Sequence, residues 1–291
     1  MHLFQSTNST KIGLQSHGYP RRPRTGLAFF VLKQTLRGPG QELEYRLAEC
    51  DASAKNLRMN EKAHMRGFAI CTAPRSGSNF LSQLLSSTGQ LGRPLEYFNG
   101  PGRRYFDDPR YPDDRSAQIE KILTMGATSN GIYGLKIFAH QHDWIEGEVK
   151  WAALLPGLQF IFLRRRDILG QAISWVRALQ TGQYRHGQAS IGDAAFDGQA
   201  ILDRLRAIAT EYARWEMYFA RNEIATLRFY YEDVVDAPQQ AVDSVAGLFN
   251  LHLACADARQ ISVIVQRDET TENWRKRFVE DFGDPNSVDR L

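Results

Sequence analysis

The sequence predicts an α/β protein of three layers, in which a mostly parallel central sheet is flanked by helices. Two observations support this prediction. From residue 67 onward, short apolar runs alternate with segments of helical periodicity, and polar or glycine-bearing turns separate them. The first run, residues 68–72, is apolar almost throughout. Such a run is typical of a strand that is buried on both faces of a sheet.

Four segments are predicted strands because of their length and apolar character. They are residues 68–72, 132–138, 159–163 and 226–230. Four other segments have helical spacing and are predicted helices, namely a segment that begins at Phe80 and stops at Gly89, and residues 167–181, 199–221 and 238–249. The aromatic stripe of the third helix, which includes Tyr212, is interpreted as core packing.

The composition is that of a globular protein, with 43% apolar and 24% charged residues. A net charge of +3 is too small to indicate a nucleic-acid partner. Cys50, Cys71 and Cys255 are too far apart for a disulfide framework or a metal site, and no metal is expected. No stretch reaches the roughly 20 apolar residues that cross a bilayer. Without a signal-peptide pattern at the N-terminus, a cytoplasmic protein is expected.

Residues 1–64 are rich in Ser, Thr, Gly, Pro and Arg and contain one strand-sized apolar run, at 27–32. They are expected to be a poorly ordered extension, or the product of a start assigned too early. Met65 directly precedes the first strong strand signal, which keeps the second explanation open. Residues 65–291 are expected to form the functional domain.

The segment Pro74–Asn79, here called the anion loop, joins the first predicted strand to the first predicted helix. Such a junction directs backbone N–H groups and the positive end of a helix dipole at one small volume, which attracts an anion. Gly77 permits close approach, the hydroxyls of Ser76 and Ser78 can donate, and Arg75 adds a permanent charge. The alternative is an ordinary polar turn, because short strings of this kind are common.

The anion loop differs from the phosphate loop of nucleoside triphosphatases. That loop requires two glycines at a fixed spacing, then lysine and Ser or Thr. The spacing and the lysine are both missing here. An arginine before the glycine suits a sulfate-bearing nucleotide, whose transferring group carries less charge than a γ-phosphate and needs no metal.

A second anion site is predicted at residues 164–167, Arg-Arg-Arg-Asp, here called the basic turn. It follows the strand at 159–163, and Ser174 lies two turns into the next helix. The Ser174 hydroxyl is expected to meet an arginine that reaches back from the strand end. Solvated surface charge is the alternative explanation.

Five motifs occur in an order found in a known family. They are Arg75-Ser76-Gly77-Ser78, residues 92–98, residues 134–136, residues 171–174 leading into 177–181, and Gln266 and Asp268 with Trp274. From about residue 67 to 282 the chain thus resembles the Stf0-type bacterial sulfotransferases. The resemblance implies a P-loop-like sulfotransferase fold, a sulfotransferase domain at 65–291 and a homodimer.

The resemblance also implies the reaction. Members transfer the sulfuryl group of 3′-phosphoadenosine-5′-phosphosulfate (PAPS) to a hydroxyl, and a carbohydrate or glycolipid-type acceptor is expected. It assigns Arg75, Ser76, Gly77, Ser78 and Asn79 to the 5′-phosphosulfate, and Arg165 with Ser174 to the 3′-phosphate. Arg166 stands where the family often has proline, so which arginine of the basic turn binds stays open.

Glu96 is the catalytic base that the resemblance implies, for in-line displacement at sulfur. A hydroxyl needs such a base because it is a poor nucleophile until its proton is removed. His140 is the rival base, although the family commonly has asparagine there. Lys136 lies in an apolar strand, where an unpaired ammonium is costly to bury. It is expected on an exposed strand face, in a structural ion pair, or in contact with the donor or acceptor near the reacting centre.

The predicted acceptor-binding residues are Arg93, Glu96, His140, Gln141 and Arg177. Arg93 stands where a family member acting on a neutral disaccharide has an acidic residue, which favours a negatively charged acceptor or a different sugar. Further candidates for the acceptor or dimer surface are Gln180, Thr181, Tyr184 and Arg185. Residues 274–277 are candidates for closing over the nucleotide, with a frayed helix as the alternative.

Two other functions remain open at this point. One is a non-catalytic nucleotide-binding module, which has no use for Glu96. The other is a small-molecule kinase, which would need the missing loop lysine.

Overall fold

The computed structural model describes residues 64–184, 188, 190–262 and 268–289. The expected extension up to residue 63, including the strand predicted at 27–32, lies outside these residues, as do Arg185 and Gln266.

Four parallel strands form the sheet of the described chain. They are β1 (Arg66–Thr72), β2 (Ile132–Phe138), β3 (Leu158–Arg164) and β4 (Thr226–Tyr230). Their order is β2-β1-β3-β4. Each predicted strand is present, and its ends differ from the prediction by no more than two residues.

Helices connect and cover these strands. They are α1 (Ser78–Ser87), α2 (Gly100–Phe106), α3 (Arg115–Thr124), α4 (Ala139–Glu146), α5 (Trp151–Leu154), α6 (Ile168–Thr181), α7 (Gly198–Arg221), α8 (Tyr231–Asp236), α9 (Pro238–Gly247) and α10 (Glu269–Phe282), with a 3-10 turn at Ala258–Gln260. The sequence predicted α1, α6, α7 and α9. Even α7, at 24 residues, is not apolar enough to cross a bilayer, and the same holds for every other helix of the described ranges.

Strand β1 shows why the fold has three layers. From Gly67 onward its residues are buried, and its apolar side chains alternate between two separate cores. Ala69 and Cys71 belong to the core that contains residues of α6, α7 and α10, whereas Phe68 and Ile70 belong to the core formed with α1 and α9. A parallel sheet with both faces covered requires strands of this kind. The predicted three-layer α/β fold is therefore confirmed.

The strand order sets the position of the functional site. From β1 the chain crosses to β2 on one side, and it later returns to β3 on the other side. The connections that leave β1 and β3 therefore run in opposite directions and open a crevice at the carboxyl ends of these strands, where α/β proteins bind ligands. The anion loop follows β1 and the basic turn follows β3, so the two predicted anion sites are neighbours.

Candidate functional site

The anion loop has a backbone conformation at position 77 that requires glycine. Arg75 and Gly77 have φ angles of 63° and 85°, in the left-handed region. A Cβ atom at Gly77 would lie 2.0 Å from Cδ2 of Tyr231. Gly77 is also the N-cap of α1, and no side chain accepts a hydrogen bond from the first turn of this helix. N–H groups at the start of this helix and the helix dipole are therefore suited to an anion.

Ser76 lies behind the cavity lining, unlike the other residues of the loop that were assigned to the 5′-phosphosulfate. It is fully buried, and Thr72 Oγ1 lies 2.7 Å from its Oγ. The same Thr72 oxygen is 2.7 Å from the carbonyl of Leu163, at the end of β3. Ser76 thus fastens the loop to the sheet, whereas Gly77, Ser78 and Asn79 line the cavity described below.

Arg75 reaches from the anion loop to α6. Its Nε donates to Ser174 Oγ at 3.1 Å, and its Nη1 donates to the carbonyl of Tyr184 at 2.8 Å. The sequence had paired Ser174 with an arginine of the basic turn, and the structure corrects this. Burial and the positive charge of Arg165 both lower the pKa of Arg75. Two guanidinium groups held this close attract an anion between them.

The three arginines of the basic turn have different surroundings. Both terminal nitrogens of Arg166 donate to the Asp233 carboxylate at 2.7 Å, and Arg164 lies 3.7 Å from Glu216. Arg165 is the one that lines the cavity, and its side chain is 13% exposed. Its Nε is buried without a hydrogen-bond acceptor in the described chain. A buried donor of this kind is satisfied when a ligand supplies the acceptor.

Asp167 makes the start of α6 unlike the start of α1. It caps α6 by accepting the N–H of Gly170 at 2.9 Å, and it accepts a bond from Arg275 at 2.7 Å. Burial raises the pKa of Asp167, but Arg275, the Gly170 N–H and Arg165 together lower it below its ordinary value. An anion at this turn therefore meets arginine side chains rather than free helix N–H groups.

A buried chain of hydrogen bonds joins the two turns. Gln171 donates to the carbonyl of Pro74 at 2.7 Å and accepts from the hydroxyl of Tyr212 at 3.0 Å. The same hydroxyl accepts the backbone N–H of Arg165 at 3.1 Å. Sequence reasoning treated Tyr212 only as core. The available signal was Gln171, a polar side chain on the apolar face of α6 that is fully buried here.

Lys136 connects the anion loop to Glu96. Its Nζ lies 2.6 Å from Asn79 Oδ1 and 2.9 Å from Glu96 Oε1, and Asn99 donates to Glu96 Oε2 at 3.3 Å. Burial raises the pKa of Glu96, but Lys136, Asn99 and Arg103 outweigh it and hold the pKa below its ordinary value. Glu96 is therefore an ionised carboxylate at neutral pH, paired with a buried ammonium on the cavity wall.

The segment that carries Glu96 runs beside β2. Lys136 N–H donates to the carbonyl of Leu95 at 2.9 Å. This close approach depends on two glycines, because a Cβ atom at Gly92 would lie 2.6 Å from the nitrogen of Gly134. Because these glycines let the chain before Glu96 pack directly against β2, Glu96 has a fixed position at the sheet edge although it lies in a loop.

His140 and Gln141 begin α4 on the same wall of the cavity. His140 Nδ1 lies 2.8 Å from Oε1 of the buried Glu211. Gln141 accepts the backbone N–H of Phe138 at 3.1 Å and so caps α4. His140 presents a ring to the cavity, while the Gln141 amide oxygen is occupied by the backbone.

Of the two predicted acceptor-binding arginines, Arg177 lies on the cavity wall and Arg93 does not. Arg177 lines the cavity, and its guanidinium donates twice to Asp268 at 2.7 Å, which joins α6 to the start of α10. Arg93 is exposed and does not belong to the cavity wall. Its backbone N–H donates to the carbonyl of Gly126, and its side chain is in solvent. The structure thus removes Arg93 from the predicted site.

The cavity has a volume of about 1260 Å³. This exceeds the ~300–1,000 Å³ that a single small ligand usually occupies. One half contains the anion loop, Arg165 and Arg275; the other contains residues from the 98–106 region and α4, including Phe106 and Trp144. In the part of the chain that the structure describes, no group of three His, Cys, Asp or Glu residues could hold a metal ion.

The chain is similar to several known proteins. Two relatives are named trehalose 2-sulfotransferase: one from Mycobacterium tuberculosis (strain Erdman), 27% identical over 57% of this chain and 78% of its own, and one from Mycolicibacterium smegmatis, 23% identical over 75% and 96%. Two solved structures are also similar. A sulfotransferase from Alicyclobacillus acidocaldarius is 16% identical, with a TM-score of 0.45, and the match covers 74% of this chain and 92% of that one. A sulfotransferase domain from the curacin biosynthetic pathway is 14% identical, with a TM-score of 0.40, and the match covers 74% of this chain and 98% of that one. The sequence profile described as Stf0 sulphotransferase matches residues 67–281, so this protein belongs to the Stf0 family of sulfotransferases.

Proposed function

We propose that the protein transfers the sulfuryl group of PAPS to a hydroxyl of a carbohydrate or glycolipid-type acceptor. The observation that carries this proposal is that the anion loop and the basic turn follow adjacent strands and lie at one cavity, which also contains Glu96. PAPS has two separated anionic groups, the 5′-phosphosulfate and the 3′-phosphate. A site for it needs two cation-rich regions and a base near the first.

The residues of the donor half fit this nucleotide. Gly77 leaves a cradle that a Cβ atom would fill, and the first turn of α1 offers uncapped N–H groups, which suit the 5′-phosphosulfate. Arg165, with its buried and unsatisfied Nε, suits the 3′-phosphate. Ser174 accepts a bond from Arg75 and so keeps its own O–H proton available for the same phosphate.

The proposed reaction is in-line displacement at sulfur. The acceptor oxygen forms a bond to sulfur while the bond from sulfur to the 5′-phosphate oxygen breaks. Glu96 takes the proton of the acceptor hydroxyl, as its ionised state allows. Arg75, Lys136 and the N–H groups of the anion loop stabilise the charge that develops on the sulfuryl and phosphate oxygens.

The acceptor half supports a sugar. Phe106 and Trp144 are 38% and 56% exposed and line this half. Exposed aromatic rings on a cavity wall provide flat apolar surfaces against which a sugar ring can pack. The printed names of the two relatives, both trehalose 2-sulfotransferases, also support a carbohydrate acceptor.

Thermal-shift titration tests the donor assignment. We expect 3′,5′-ADP to raise the melting temperature, since ligand at 100 times Kd adds about 2.7 kcal/mol to the stability of the folded state. ATP with Mg²⁺ is expected to have little effect. The reverse pattern would favour a kinase and reject the proposal. Stabilisation by 3′,5′-ADP with no sulfuryl transfer to any offered sugar would instead favour a non-catalytic binding module.

A further inference from the structure

Arg103 is a buried arginine in the acceptor half of the cavity. It lines the cavity although only 3% of the residue is exposed. Its Nη1 lies 2.7 Å from Asp107 on the next helical turn. Its Nε is buried without a hydrogen-bond acceptor among the described residues. Leaving a buried charged donor unsatisfied is costly, so this nitrogen points to a partner that the described residues do not supply.

A second arginine, Arg115, contributes to the same part of the wall. Its Nη1 donates to Gln118 at 3.0 Å, and its buried Nε also lacks a hydrogen-bond acceptor in the described chain. The same Nε is in an ion pair with Glu148, whose Oε2 lies 3.4 Å away without hydrogen-bond geometry. A Cβ atom at Gly100, which begins the helix of Arg103, would lie 3.3 Å from Nε2 of Gln118, so Gln118 lies between the start of this helix and Arg115.

The carboxylates on this part of the cavity wall are already paired. Glu96 Oε1 lies 2.9 Å from Lys136, and Asp113 Oδ1 lies 2.7 Å from Arg104. The partners of Arg103 and Arg115, Asp107 and Glu148, do not line the cavity. The wall therefore offers guanidinium N–H groups, whose own carboxylate partners lie outside the cavity lining, to whatever enters beside Glu96.

We propose that Arg103 and Arg115 form a subsite for a carboxylate or phosphate group carried by the acceptor, so that the preferred acceptor is an acidic sugar. A guanidinium group is suited to both anions because its N–H groups form a planar fork. The inference rests on the proposed function, since it takes Glu96 as the place where the acceptor hydroxyl lies. It replaces the expectation based on Arg93, which is in solvent.

Matched pairs of sugars test the subsite. Calorimetry would compare methyl β-glucuronide with methyl β-glucoside, and glucose 6-phosphate with glucose, with and without 3′,5′-ADP. We expect at least one acidic sugar to bind about tenfold more tightly than its neutral partner. Arg103→Gln is expected to reduce this ratio below about threefold, and Arg115→Gln to reduce it in part. Arg93→Gln, the matched control in solvent, should leave the ratio unchanged.

The outcomes separate the two proposals. Stabilisation by 3′,5′-ADP without any preference for an acidic sugar, or without binding of either acidic sugar, would reject the subsite and keep the proposed function. A preference that Arg103→Gln and Arg115→Gln abolish, without any effect of 3′,5′-ADP, would keep the subsite and reject the function. If Arg103→Gln does not fold, Arg115→Gln decides, and an unchanged ratio in that variant counts against the subsite.

Discussion

The Nε of Arg75 donates to Oγ of Ser174 at 3.1 Å, although the two residues are 99 positions apart in the chain. This bond ties the turn after β1 to the helix after β3. It makes Ser174 a support for Arg75 as well as a possible ligand of the 3′-phosphate. The two residues should therefore contribute unequally to nucleotide binding.

Arg75→Ala is expected to weaken binding of 3′,5′-ADP by about 10- to 100-fold, because hydrogen bonds to charged groups contribute ~1.5–3 kcal/mol. Ser174→Ala should weaken it less, since Arg75 keeps its charge and its bond to the Tyr184 carbonyl. Calorimetric titration with 3′,5′-ADP measures both. Arg166→Ala is the control, because that side chain pairs with Asp233. Equal affinity for wild type and Arg75→Ala would contradict the assignment.

Glu96→Gln is expected to reduce sulfuryl transfer by about 100-fold or more while 3′,5′-ADP binds nearly as in wild type. The amide has almost the shape of the carboxylate but cannot accept the proton. Transfer of radioactive sulfur from labelled PAPS gives the rate, and calorimetry gives the affinity.

His140→Asn provides the contrast for this variant. Since His140 Nδ1 faces Glu211, the ring has a fixed orientation and is the competing candidate for the base. We expect this variant to keep most of the transfer rate. A variant pair in which Glu96→Gln stays active and His140→Asn does not would assign the proton transfer to histidine.

Lys136→Met is expected to move the acidic limb of the kcat/KM profile to higher pH. In wild type the pKa of Glu96 is below the ordinary 4.5, because Lys136, Asn99 and Arg103 outweigh the effect of burial. Without the ammonium, burial raises this pKa, so the carboxylate becomes protonated at a higher pH and the base is lost there. A pH series of initial rates measures the limb.

Lys150→Met is the control for the pH series. Lys150 is also a lysine in an ion pair, with Glu146 at 2.9 Å, but its side chain is 73% exposed. It does not line the cavity. An acidic limb that stays in place in Lys136→Met would show that Glu96 does not set it.

Gly77→Ala is expected to lower the free energy of unfolding by about 2–4 kcal/mol, through overpacking and a left-handed backbone. The new Cβ would lie 2.0 Å from Cδ2 of Tyr231, at a φ angle of 85°. Gly89→Ala has a similar φ of 65° but meets no atom within 4 Å, so it should lose only about 1 kcal/mol. Urea denaturation compares them. Equal losses of unfolding free energy in the two variants would mean that backbone strain alone causes the loss and that the Tyr231 ring moves aside.

The strands could be predicted from sequence because their signal is local. A run such as residues 132–138 is apolar apart from Lys136, and all seven residues are buried in the sheet. Helices α4 and α8 were missed because each begins directly where a strand ends, at Ala139 and Tyr231, with no polar turn to mark the change.

The site was only partly predictable because its pairings are not local. The anion loop and the basic turn were visible as charged turns after strands. That Arg75 rather than Arg165 bonds Ser174, and that Arg93 lies in solvent, depends on how distant segments pack. Arg275 was a candidate only as part of the basic string at 274–277, and Arg103 was not assigned to the site, since only the fold decides which arginine of a basic string faces the cavity.

The order β2-β1-β3-β4 has a consequence for biosynthesis. Strand β1 leaves the ribosome first among the described strands, yet both of its neighbours follow later, and β3 ends only at Arg164. At ~5–20 residues per second, the nascent strand waits roughly 5–20 s for its second neighbour. During that interval its apolar edge is open to wrong partners. A truncated product that ends between residues 79 and 164 carries the anion loop without the basic turn.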